Sequence, residues 1–146
     1  MYPYVLLIHI LGATIWTGGH IILATRILPR VIRERSAGLL LDFEKRFEPI
    51  GMSALVTQVV TGLWLAPRLV PPSMWFNVDV PASRMLMLKF ACLALTICFA
   101  IDARFRVLPR LRDENVKTMV PHICAVTTLG ILFVVAGVGI RTGGWF

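Results

Sequence analysis

The chain has 146 residues, 57% of them hydrophobic, and a mean hydropathy of +0.76. Soluble domains are nearer half apolar, so the composition excludes an ordinary soluble protein and predicts an integral membrane one. The formal charge of +7 does not point to nucleic acid, because the basic residues alternate with uncharged windows of spanning length, about 20 residues.

Span one is expected over about Tyr4–Thr25, with no charge from Met1 to Thr25. Its start lacks a basic leader region and no small-residue cleavage site follows, so it reads as a retained span. It holds His9 and His20. Eleven helical residues return to nearly the same face over about 16 Å, so the two imidazoles point one way at two depths, with Ala13 and Trp16 on the same stripe. A charged connector follows, in which Pro29 is expected to kink the helix and Gly38 to break it. Leu39–Phe47 reads as an amphipathic helical lead-in to span two, lying at the surface. Span two, about Pro49–Ala66, carries Gln58 near mid-membrane and small or polar stripes suited to helix packing. Pro67–Ser83 is too rich in proline for regular helix and reads as a cap, with Trp75 and Phe76 at headgroup depth. Span three, about Arg84–Asp102, contains Lys89, which either snorkels to the interface or points inward as a ligand or counter-ion. A short basic loop leads to span four, Thr118–Ile140, with Pro121 and His122 in its first turns.

The expected fold is therefore all-α: a four-helix membrane bundle forming one domain. The loops after spans one and three hold eleven Lys/Arg, against Arg68, Arg84 and Arg141 on the other side. The basic loops are then cytoplasmic and both termini periplasmic, in a bacterial inner membrane. Cys92, Cys98 and Cys124 lie in apolar segments, and the first two fall on different helix faces, so no disulfide is expected.

Depth pairs the polar residues. His9 and Lys89 sit at similar distances below the outer ends of their spans, and His20 and His122 at similar distances above the inner ends. Imidazole suits haem iron, copper and zinc. A macrocycle between two helices needs only two axial ligands, whereas a closed zinc site needs three or four. Copper(I) could also recruit thioethers, from Met85 and Met87 at the outer level or Met52 and Met119 at the inner one. The plain alternative is that each histidine simply bonds a neighbouring backbone or hydroxyl group.

His9, Trp16 and Gly18-Gly19, then Glu44–Phe47, Gly51-Met52, Thr61–Leu63, Leu88-Lys89, Arg104–Leu111, Asn115 and Pro121 occur in an order that resembles the copper-resistance D (CopD) membrane domain and the related HemJ-type protoporphyrinogen oxidases. The HemJ resemblance implies haem b held by a first-span histidine and a third-span lysine, here His9 and Lys89, and electrons passed to quinone. The CopD resemblance implies copper movement or copper supply. The stretch Ile27–Arg35 departs from the HemJ pattern, and His20 and His122 are additions to it.

The leading expectation is a b-type haem redox protein. His9 and Lys89 would serve one haem, His20 and His122 a second, with Trp16 and Gln58 as further cofactor contacts. If enzymatic, it would be a haem-dependent membrane oxidoreductase resembling protoporphyrinogen oxidase. The alternative is a copper-transporting or copper-handling protein. Expected partners are membrane lipid, a quinone or other membrane redox carrier, and a second copy or larger membrane complex. No Gly-rich phosphate loop, nucleophile–base spacing or paired-cysteine metal knuckle occurs.

Overall fold

A computed structural model describes residues 1–145. Among them there is no strand, and four helical runs are long and apolar enough to cross a membrane: Tyr2–Glu34, Ala37–Leu69, Pro81–Arg110 and Asp113–Thr142. The first run is α1 (Tyr2–Ile22), a π turn (Leu23–Ile27) and α2 (Leu28–Glu34). The second is one helix, α3 (Ala37–Leu69). The third is α4 (Pro81–Asp102), a second π turn (Ala103–Val107) and a 3₁₀ turn (Leu108–Arg110). The fourth is a 3₁₀ stretch (Asp113–Met119) leading into α5 (Val120–Thr142).

Three local expectations change. The chain breaks at Arg35, in the left-handed conformation with φ 49°, and at Ser36, whose hydroxyl caps Leu39 N–H; Gly38 lies inside the new helix. Leu39–Phe47 leads into span two as expected, but its apolar face is covered by helices rather than left to the membrane surface. It is the first part of α3, and Leu40 is fully buried among Leu23, Val31, Val116, Met119 and Ile123. Packing against the neighbouring helices competes with the interface for that apolar face, and packing wins. Finally, α3 continues through Pro67 to Leu69, so the cap is shorter than expected. Within it, Trp75 folds inward onto Phe90 and donates to the Val70 carbonyl, while Phe76 stays exposed.

α1 packs on α3, α4 packs on α5, and α1 on α5 joins the two hairpins, whereas α3 and α4 scarcely meet. Both termini share one end, where Arg141 donates to the Tyr2 hydroxyl. The basic loops share the other, where Asp113 accepts from Ala37 N–H at 2.7 Å and so caps the first hairpin from the second.

The two hairpins repeat. Arg26-Ile-Leu-Pro-Arg-Val31 and Arg106-Val-Leu-Pro-Arg-Leu111 match at a constant separation of 80 residues, each overlapping the end of a five-residue π turn. A proline cannot donate to the carbonyl four residues back, and its ring crowds that carbonyl. A wider turn before Pro29 and Pro109 makes the room. The same separation relates Gly12 and Trp16 to Cys92 and Thr96, all four buried, and superposes the exposure pattern of 11–16 on 91–96. Leu28 is buried in the core cluster at the basic end, and its equivalent Leu108 packs against that cluster.

The three cysteines are free, Cys92 buried and the others exposed, as the helix periodicity predicts. Leu40→Ala should cost about 2–5 kcal/mol in reversible unfolding from mixed micelles, and Leu41→Ala much less. Equal effects would contradict the burial of Leu40.

Candidate functional site: two stacked cavities

Two half-open cavities lie among the helices, one above the other. The one nearer the termini, about 550 Å³, is almost wholly apolar; His9 of α1, Gln58 of α3 and Lys89 of α4 contribute its central polar groups. The one nearer the basic loops, about 390 Å³, is lined by Trp16, His20, Glu44, Phe47, Glu48, Met52, Phe99, Arg104, Met119 and His122.

His9 and Lys89 are equivalent positions of the repeat and face one cavity. Lys89 therefore points inward rather than snorkelling. Its Nζ lies beside Gly137, and among the described residues it has no ion-pair partner. His9 Nδ1 is 2.8 Å from Thr61 Oγ1, and that hydroxyl's one proton goes to the Thr57 carbonyl at 2.5 Å. The hydroxyl must then accept from His9 Nδ1–H, which leaves a lone pair on Nε2. Gln58 spends one of its two amide N–H donors on the His9 carbonyl, 2.7 Å from Nε2, which leaves the other N–H and the amide oxygen for a ligand. It fixes the helix that carries His9.

His20 Nδ1 is 2.9 Å from the Trp16 carbonyl, which can only accept. Here too the lone pair is on Nε2. The ring lies tilted at 47° against Trp16, centroids 4.3 Å apart, and meets Phe47 edge-on. His122 is held the other way round. Its Nε2 donates to Asp102 Oδ2 at 2.6 Å, while Nδ1 is buried with no partner. Trp16 Nε1 is also buried and unpartnered. Each histidine thus bonds a neighbour, as the plain alternative expected, but with one nitrogen only.

Two expectations about depth and donors fail. His20 and His122 do not share a level. Thr127 donates to the His20 carbonyl, which places His20 beside a residue five positions past His122, about 7.5 Å of helix rise. The repeat equivalent of His20 across the cavity is Ala100, not a second histidine. Counting from the ends of the apolar stretches misplaces both residues, because the first helical run continues past Arg26 to Glu34 and the fourth begins at Asp113, before Thr118. Met85 is buried against Gly139 and reaches neither cavity, and Met87 lines neither. Met52 and Met119 do line the inner cavity.

Sequence reading missed Asp102, which orients His122, and Thr61, which orients His9. The Asp102 signal was there: an acidic residue at the end of an apolar span, followed by Arg106 one turn on, to which it is salt-bridged at 2.9 Å.

The family model for CopD, copper resistance protein D, matches residues 41–141. The chain belongs to the CopD family. It is a multi-pass membrane protein of the copper-resistance family. No match was found among curated proteins or among solved structures. The matched region contains Gln58, Thr61, Lys89, Asp102, Met119 and His122; His9, Trp16 and His20 precede it.

Thr61→Val should release His9 from its single tautomer. The ¹⁵N NMR signals assigned to His9 should show Nδ1–H alone in the wild type and a mixture of tautomers in the variant, with His122 remaining Nε2–H in both. A mixture in both would contradict the Thr61 hydrogen bond.

Proposed function

We propose that this CopD-family protein handles copper, moving it across or delivering it from a bacterial inner membrane, with the ion taken up in the cavity near the basic loops. One observation carries this beyond the family: that cavity joins imidazoles and thioethers, His20, His122, Met52 and Met119, to the carboxylates of Glu44 and Glu48. Soft thioether with imidazole selects copper(I) among biological cations. The only fixed cation on the wall, Arg104, is tied to Glu48 at 2.9 Å. The terminal-side cavity suits a copper ion less well, because Lys89 there would repel it.

That contrast supports a second reading for the terminal-side cavity alone. A large apolar cleft with one open imidazole nitrogen, His9 Nε2, and the Lys89 ammonium on its wall fits haem b better than a bare ion. His9 would hold the iron, and Lys89 would be its partner or a contact to an acidic substituent. Haem would supply one-electron chemistry, exchanged with a quinone or another membrane carrier. His20 and His122 are not proposed for a second haem, since they stand at different heights.

Purified protein in proteoliposomes should take up copper(I) faster than protein-free vesicles or bind it in detergent. No uptake and no binding would contradict the copper reading. A Soret band that disappears in His9→Ala would support the second reading, and a featureless spectrum from cells with ample haem would sink it.

A further inference from the structure

We propose that Met119 and His122 form a copper(I) site on the wall of the basic-side cavity, with Asp102 as the residue that positions His122. The inference rests on the copper reading and names the atoms that would carry it.

His122 is held by Asp102 through Nε2–H, and its remaining nitrogen, Nδ1, is enclosed and has no partner. Buried polar atoms in folded proteins are almost always paired, so a lone pair kept free of every protein donor calls for a ligand. A ring nitrogen donating to a carboxylate while the other faces outward is the arrangement that orients metal-bound histidines and raises their basicity. Met119 ends the 3₁₀ stretch at the N-cap of α5, three residues before His122, so the two side chains come from consecutive turns of one helical run. Both line the same cavity. Met119 is 3% exposed, which shields a thioether–copper bond from water.

The coordination number separates copper(I) from its rivals. Among the described residues, no three His, Cys, Asp or Glu side chains come together as a metal-binding group. Zinc, which needs three or four such ligands, is therefore poorly served. Copper(I) has a filled d shell and accepts low coordination, so one imidazole and one thioether suffice to begin a site. Met52 on α3 and His20 on α1 stand on the opposing walls as the donors an ion would meet when it leaves. Phe99 meets His122 edge-on at 5.7 Å and restrains the ring without using its nitrogens.

The test is a copper(I) competition titration of the detergent-purified full chain against a chromophoric chelator, under anaerobic conditions. The wild type should take up one copper tightly. Met119→Leu, which keeps the side-chain volume, and His122→Ala should each weaken binding at least about tenfold. Asp102→Asn should weaken it about 10–100-fold, and Asp102→Glu should recover part of the loss. That recovery distinguishes positioning of the imidazole from general damage. If the wild type binds and Met119→Leu and His122→Ala bind equally well, this site is overturned while the copper reading stands. If the wild type binds no copper(I), both fall. Met119→Leu, checked by size exclusion, decides the matter should His122→Ala not fold.

Discussion

An imidazole inside a bilayer has no water to satisfy it, so each of its nitrogens needs a stated partner. In this chain each histidine gives one nitrogen to the protein and keeps the other. Thr61 takes it from His9, the Trp16 carbonyl from His20, and Asp102 from His122. The rest of the bundle can be understood as what holds those three acceptors in place. Thr61 is fixed by its own bond to Thr57. Gln58 ties α3 to the His9 carbonyl, and Thr127 ties α5 to the His20 carbonyl. Asp102 is shared with Arg106 at the end of α4.

The repeat explains why these two cavities differ. Two like hairpins meet through α1 and α5, while α3 and α4 stand apart. That leaves space between α1 and α4, helices that correspond at 80 residues. At the terminal level the corresponding positions are His9 and Lys89, two nitrogen groups facing an apolar cleft. At the basic level they are His20 and Ala100, so the symmetry is broken and α5 supplies Met119 and His122 instead. The α3–α4 gap is closed at one end by Trp75 and Phe90 packed with Val70 and Leu86, and at the other by Glu48 with Arg104. An exposed ion pair contributes little stability, so the basic end is the easier one to open.

Much of this was legible in the residues. Uncharged runs gave four spans, loop arginines gave one basic end, and rare histidines in apolar helices gave the candidates for a site. The family resemblance pointed to copper as one of two chemistries, and the family match supports that one. What failed has a common cause. Counting residues from span ends assumes that helices stop where hydropathy stops, yet α3 extends from Ala37 to Leu69 because Leu40 is buried by its neighbours. The same assumption set His20 and His122 level. The Leu-Pro-Arg repeat was visible as letters, but its meaning depended on the π turns that precede each proline. Which nitrogen of each ring is free follows from hydrogen bonds to Thr61, Trp16 and Asp102, and no spacing rule encodes those.

The most direct measurement is copper K-edge X-ray absorption on the copper(I)-loaded protein. The account predicts a mixed first shell, with sulfur from a thioether and nitrogen from an imidazole. A shell of nitrogen and oxygen alone, or no protein-bound copper to measure, would contradict it.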